Sequence, residues 1–329
     1  MYMLKIGNVV IDGIVALGPM AGITNEEYRI FLKPYGVALS YTEMISDYGI
    51  IYNNQETLSY LPTKDTDRPL ALQLFGSSSK TLLQALEIIE TLNVPYDILD
   101  INLGCPMPKV TKTGSGSAWL KRPNELFTMM KEVVAHSTKP VMAKIRLGWD
   151  EESINFEEIV VGLEKAGVAA IAIHTRTRAQ MYSGKAQHEL IKDLHKKMSV
   201  PLIVSGDVFT LDDAIKVKEI TQADMIMVAR GGVGNPKLIK QIDSYFRNRE
   251  KIEDASLKEQ LESMRKLIGL SAGRKDQNRV INELRGILPK FLNGFPHTKK
   301  YRVAITQEAH SLEELEAIIE KIEQERVFI

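Results

Sequence analysis

Eight short apolar runs punctuate the first 230 residues of this chain, and they constrain its fold more than any other feature. They occupy residues 14–18, 38–42, 70–74, 98–103, 141–145, 170–174, 202–205 and 225–229. Val, Ile, Leu and Ala dominate them, and several are apolar almost throughout. That composition suits parallel strands covered on both faces. Between them lie stretches with helical spacing, such as Leu82-Leu83-Leu86-Ile89-Leu92 and Ile159-Val160-Leu163-Ala166. Strand and helix alternating eight times predicts an α/β fold, a closed (β/α)8 TIM barrel. An open doubly wound sheet is the competing arrangement, but the Gly-x-Gly-x-x-Gly turn is absent after the first run.

The character changes near residue 240. Segments 257–270, 279–292 and 312–322 read as amphipathic helices, with no convincing strand among them. The chain is therefore expected to divide into a barrel, 1–240, and a small all-helical domain, 241–329. Lys plus Arg and Asp plus Glu both number 42, so the total charge is neutral. That balance conceals a segregation. From Arg265 to Arg302 there are ten Lys or Arg against Asp276 and Glu283, and from Val303 onward seven Glu face Lys321 and Arg326. Solvated helix faces would give such a pattern. A nucleic-acid footprint, with Phe291, Phe295 and Tyr301 available for contact, would give it too.

Other classes are excluded by simple counts. No apolar run approaches the ~20 residues of a membrane-spanning helix. The first residues turn polar too quickly for a signal peptide. One cysteine permits neither an internal disulfide nor a Cys-cluster metal site, so no metal is expected, and a reducing, cytoplasmic setting is the natural reading.

Active sites of such barrels lie at the C-terminal ends of the strands. Those ends carry Pro19-Met20-Ala21-Gly22, Glu43-Met44, Gln73, Asn102 with Cys105, Lys144 with Arg146, His174 with Arg176, Ser205-Gly206-Asp207 and Ala229-Arg230-Gly231. The longest interval follows the fourth run and opens with Leu103-Gly104-Cys105-Pro106 before a Lys-, Thr- and Gly-rich loop. The lone cysteine is placed there for chemistry, because nearby positive charge favours thiolate and a loop gives access. A small buried hydrophobe is the competing role. The seventh and eighth ends suit a phosphate, with small residues admitting backbone N–H groups and Arg230 supplying a charged fork. Lys144 points inward and needs a partner, either an anionic cofactor ring or a core carboxylate such as Glu43 or Asp100. Gln73 could meet a ring imide edge. His174 could be a core histidine bonded to a carbonyl.

These blocks resemble, in order, the motifs of the tRNA-dihydrouridine synthases. They are Gly18-Pro19-Met20-Ala21-Gly22-Ile23-Thr24-Asn25, Gln73-Leu74-Phe75-Gly76, Asp100-Ile101-Asn102-Leu103-Gly104-Cys105-Pro106, Lys144-Ile145-Arg146-Leu147-Gly148 and His174-Thr175-Arg176. A weaker likeness continues through Leu284-Arg285 into residues 294–302. The chain departs from the family at Ser205, where Asn is usual, and at Ala229, where Gly is usual; both touch the expected phosphate loops.

The resemblance implies an FMN-binding barrel, an RNA-binding helical domain and NADPH-driven reduction of uridine to 5,6-dihydrouridine. The substrate would be tRNA ahead of rRNA, with no protein partner and no membrane. Cys105 would be the catalytic acid, giving a proton to C5 while reduced flavin gives hydride to C6. Pro19, Met20, Ala21, Gln73, Lys144, His174, Ser205, Gly206, Asp207, Ala229 and Arg230 would hold FMN. Asn102, Arg146 and Arg176 would meet the uracil, and Lys299, Lys300 and Arg302 the RNA. Two alternatives remain at this point. One is a flavin barrel related to dihydroorotate dehydrogenase, which would not need the basic helical domain. The other is a non-catalytic RNA-binding protein with a relict barrel, against which intact Cys105, Lys144 and His174 argue.

Overall fold

The computed structural model describes residues 3–274 and 276–325, so Lys275 and Arg326, counted above in the charge pattern, lie outside the described residues. All eight expected runs are strands: β1 (Val15–Leu17), β2 (Val37–Tyr41), β3 (Leu70–Phe75), β4 (Ile98–Asn102), β5 (Val141–Arg146), β6 (Ala170–His174), β7 (Leu202–Ser205) and β8 (Met225–Val228). Each pairs in parallel with the next. β8 pairs back with β1, and β2 with β3, so the sheet closes into a barrel. Helices α1 (Glu26–Leu32), α2 (Ser79–Thr91), α3 (Pro123–His136), α4 (Phe156–Lys165) and α5 (Leu211–Thr221) are among those that link the strands.

The near-continuous apolar runs conceal a strict alternation, because successive strand residues face opposite sides. On β5, Val141, Ala143 and Ile145 face the helical shell, while Met142 faces the barrel interior. Lys144 and Arg146 share that interior face by the same period. The pattern repeats on β4, where Ile98 packs inside, followed at alternate positions by Asp100 and Asn102. It repeats on β6, where Ala170 and Ala172 precede His174. The lower interior is therefore apolar and the upper interior polar.

A hairpin not legible in the apolar runs, Met3–Ile6 paired with Val9–Asp12, closes the bottom. Its strands are only four residues long and partly exposed, too short to stand out as a pattern. Ile6 and Ile11 pack fully buried against Ala16, Leu39, Met142 and Met225.

The boundary expected at 240/241 falls inside helix α6 (Pro236–Asn248), which packs against β1. One apolar stripe, Leu238, Ile239 and Ile242, runs through that position, so nothing breaks the helix there. Four further helices follow: α7 (Leu257–Ser271), α8 (Gln277–Ile287), α9 (Lys299–Gln307) and α10 (Leu312–Gln324). The expected segment 279–292 splits into α8 and a 3-10 turn, Leu288–Leu292, because Pro289 has no N–H to continue the α-helical ladder. α9 was not anticipated; it buries only Tyr301 and Ile305.

The helical part docks on the first β/α unit of the barrel. Phe291 meets Phe31 with ring centroids 6.1 Å apart. Asn25 donates through Nδ2 to Glu283 at 2.7 Å, and Arg274 pairs with both Glu283 and Glu27. Phe291 and Tyr301 are buried in this packing and are not free for RNA, and Phe295 is partly buried against the same core.

The hairpin plug is testable. Ile11→Ala removes a fully buried side chain from the barrel floor. It should cost about 2–5 kcal/mol, read as a lower denaturation midpoint. Val10→Ala, at an exposed position of the same strand, should leave the midpoint nearly unchanged.

Candidate active site

A cleft of about 500 Å³ opens at the C-terminal ends of the strands. Its walls include Pro19, Met20, Ala21, Gln73, Asn102, Cys105, Lys144, Arg146, His174, Ser205, Gly206, Asp207, Ala229 and Arg230. The parallel register explains the convergence. Asn102 is paired with Lys144, and Arg146, His174 and Ser205 form one row across β5, β6 and β7.

Cys105 is fixed from several directions. Asn102 accepts through Oδ1 from the Cys105 N–H at 2.8 Å and from the Gly104 N–H at 3.1 Å. Arg146 donates from Nε to the Gly104 carbonyl at 2.8 Å. The Ser117 N–H donates to the Cys105 carbonyl at 3.1 Å. Asn102 is itself oriented from below: its Nδ2 donates to Gln73 Oε1 at 2.8 Å, and Gln73 Nε2 donates to Asp100 Oδ2 at 2.7 Å. Asn102 and Gln73 line the cleft, but their amides are largely engaged in this chain, which leaves less of each for a ligand than expected.

The thiol does not meet the charge that the loop sequence advertises. Lys109 and Lys112 are exposed, while Cys105 is almost buried. Burial pushes the Cys105 thiol up; the Met107 N–H, Arg146 and Lys144 pull it down less strongly. The expectation that cationic surroundings favour thiolate is therefore corrected, because desolvation of the charged form is the larger effect.

Lys144 is half-buried and lines the cleft with no hydrogen-bond or ion-pair partner among the described residues. Burial, and then Arg146, pull its pKa down to about 8, against the pull of Asp100. Neither carboxylate considered as a partner takes that role. Glu43 accepts from the Gly22 N–H at 2.7 Å, and Asp100 engages Gln73. His174 is held well below its ordinary pKa by burial, then by Arg146, Lys144, Arg176 and Arg230, so it is neutral at pH 7. Arg176 Nη1 lies 3.4 Å from His174 Nε2. Arginine can only donate, so Nε2 accepts and Nδ1 carries the proton.

Arg176 itself does not line the cleft. It is buried and donates to Ser183 O, Gly184 O and Asp207. The uracil contact expected of it is corrected: it is a strut behind the site. Arg146 does line the cleft, but Nε and Nη1 are committed to the carbonyls of Gly104, Thr177 and Met181. Burial lowers its pKa to about 10. The Asp207 carboxylate is also engaged, accepting from Arg176 at 2.7 Å and from the Ala186 N–H at 2.8 Å.

The loops after β7 and β8 form an anion cradle. Gly206 and Asp207 have φ of 133° and 47°, a turn that exposes successive amides. A Cβ on Gly206 would lie 2.8 Å from Ala186 Cβ, so glycine is required there. Among the described residues, the N–H groups of Gly206, Asp207, Arg230 and Gly231 donate to no protein acceptor. Arg230 stacks against Tyr182 at 4.8 Å and Phe209 at 5.6 Å. Sequence reasoning passed over Tyr182 and Phe209, although both follow strand-end motifs closely, and also Met107 and Lys290 on the cleft wall.

Lys299, Lys300 and Arg302 lie on α9 and do not line the cleft. Lys300 pairs with Glu325, and Arg302 donates to Asn293 Oδ1 at 2.8 Å.

The sequence profile described as dihydrouridine synthase (Dus) matches residues 14–326. The chain belongs to the dihydrouridine synthase family. It is 33% identical over 320 residues to a probable tRNA-dihydrouridine synthase of Aquifex aeolicus, covering 96% of this chain and 98% of that one. It is 32% identical over 296 residues to tRNA-dihydrouridine synthase B of Pasteurella multocida, covering 87% and 88%. As a dihydrouridine synthase it is an oxidoreductase acting on tRNA uridine. The barrel is similar to the old yellow enzyme homologue from Zymomonas mobilis, with a TM-score of 0.53 at 12% identity, covering 78% of this chain and 95% of that one. It is also similar to a 2-naphthoyl-CoA reductase, TM-score 0.52 at 11% identity, covering 73% and 51%.

The protonated state of Cys105 has a direct readout. The rate at which iodoacetamide alkylates this single cysteine should still be rising at pH 9, because the thiol lies above its ordinary range. A rate that has levelled off below pH 8 would contradict the burial argument.

Proposed function

We propose that this dihydrouridine synthase uses FMN as its flavin and NADPH as reductant, and that Cys105 is the proton donor to uracil C5. FMN bound in the cleft supplies, in its reduced form, the hydride for C6. The residues present fit that group. The four free amides and Arg230 suit its phosphate, and Lys144 is a cation lining the cleft with no hydrogen-bond or ion-pair partner among the described residues. An anionic ring beside Lys144 would restore the ammonium that burial otherwise disfavours. Neutral His174 has its Nδ1 proton to donate without adding charge. NADPH enters from the family resemblance alone.

The observation that carries the reading is the placement of Cys105: an almost buried, tightly held thiol lining the same cleft as Lys144. A general acid must hold its proton at working pH and sit at a fixed point. Burial secures the first condition. The Cys105 N–H donating to Asn102, Arg146 donating to the Gly104 carbonyl and Ser117 donating to the Cys105 carbonyl secure the second. After transfer, Arg146 and Lys144 stabilise the thiolate left behind, and solvent restores the proton. Reduction of uridine by NADPH consumes one proton overall, so Cys105 relays it and is not consumed.

The uracil must leave its stack to reach this depth. A second groove, of about 710 Å³, runs between Gly22, Ile23 and α8 and shares Ile23 with the cleft. It supports a path for RNA between the barrel and the helical part. On this reading the helical part contributes RNA contacts through exposed Lys299 and neighbouring cations.

Two measurements test the reading. Cys105→Ala should bind FMN and accept electrons from NADPH, yet oxidise its flavin with tRNA about 10²–10⁴-fold more slowly in single turnover. Near-normal turnover would assign the proton to another group. Lys144→Met should lose FMN occupancy while the apoprotein melts no lower than the parent, since a lone buried ammonium is removed. Full occupancy with a lowered melting midpoint would make Lys144 a structural residue.

A further inference from the structure

We infer that the barrel mouth beside the Cys105 loop is a docking surface for the RNA sugar–phosphate backbone, built on Lys109, Lys112, Lys121, Arg178 and Trp149. The inference rests on the tRNA reading above and deepens it. These residues come from separate segments that the fold brings together. Lys109 and Lys112 belong to the loop that carries Cys105, Lys121 ends the 3-10 turn after it (Gly116–Lys121), and Trp149 and Arg178 lie in the segments that follow β5 and β6. Trp149 is the hub. The Arg178 guanidinium lies 4.4 Å from its ring centroid and the Lys121 ammonium 4.8 Å. Arg178 reaches on to Thr111 Oγ1 at 3.5 Å, tying the hub to the Cys105 loop.

Among the described residues, none of these four cations has an ion-pair partner. Four cations of the helical part are different. Arg265 pairs with Glu316 and Glu323, Arg274 and Arg279 with Glu283, and Lys300 with Glu325. Contact between the two segments thus neutralises Arg265 and Lys300, whereas all four cations at the barrel mouth stay unpaired among the described residues. Asp150, Glu151 and Glu152 follow Trp149 directly in the chain.

Covalent continuity then fixes the occupant. A uridine whose base reaches Cys105 is tethered to phosphates on both sides, so its backbone must cross the rim of the cleft. The loop bearing Lys109 and Lys112 is part of that rim. Stacking on Trp149 holds Arg178 and Lys121 in place before RNA arrives, which lessens the entropy lost on binding.

The test measures tRNA affinity of the flavin-loaded protein across a salt series. The triple variant Lys109→Glu, Lys112→Glu, Lys121→Glu changes three exposed positions, and retained flavin absorbance reports that it is folded. It should bind tRNA at least about tenfold more weakly near 0.1 M salt, with a log–log salt slope flatter by about 2–3. Lys299→Glu, Lys300→Glu, Arg302→Glu should have a smaller effect on both. Unchanged affinity and slope in the barrel variant, with the parent binding tRNA normally, would overturn the inference. A parent protein that neither binds nor reduces tRNA would instead overturn the reading on which it rests.

Discussion

The two-residue period of the strands inside a closed barrel is the constraint on which the rest of this molecule depends. Once β5 commits Met142 to the floor, Lys144 and Arg146 must also face inward. Once β4 commits Ile98, Asp100 and Asn102 follow. The floor tolerates this only because the N-terminal hairpin seals it with Ile6 and Ile11. Apolar packing below and polar convergence above are therefore two ends of one arrangement. A one-residue slip in β5 would turn Lys144 into the helical shell.

Above the floor, a single carboxylate orders the amides. When ionised, Asp100 can only accept, so Gln73 then presents Nε2 to it and Oε1 to Asn102, the arrangement found here. Asn102 then has only its oxygen to offer the Gly104 and Cys105 amides. The orientation of the turn that carries the thiol is thus set three residues deep in the barrel. Asp100 has one unpartnered buried oxygen, and burial raises its pKa to about 7. Its charge, like that of Lys144, is held at a cost that the surrounding fold offsets.

The barrel was legible because eight apolar runs of the right length admit few other closures, and the strand-end residues could be read directly from them. Direction of commitment could not be read. Arg176, Asp207, Gln73 and Asn102 all stand at strand ends, yet their side chains are largely turned to protein partners. Those partners, such as Ser183, Gly184 and Ala186, lie on loops whose paths no local pattern reveals. The Cys105 thiol was misjudged for a related reason. Lys109 and Lys112 are adjacent in sequence, but desolvation depends on what packs around the sulfur. The hairpin, α9 and the true course of the chain through 240 were missed because short or continuous elements give periodicity little to register.

Charge shows the same gap between sequence and space most clearly. Ten cations and seven glutamates in successive segments read as a basic face and an acidic helix. Folding sets parts of those segments against each other, with Arg265 bridging to α10 and Lys300 to the residue that follows it. Such pairs are individually weak near the surface, but each removes a free cation from the field that an approaching polyanion meets. The acidic last helix thus has an internal use: it helps to hold α7 and α9 together. The cations around Trp149 have no such partner among the described residues, and Arg178 ties them to the loop that carries Cys105. On the proposed reading, long-range attraction and the proton-donating thiol share one loop, so backbone capture and base entry would occur at the same edge of the molecule.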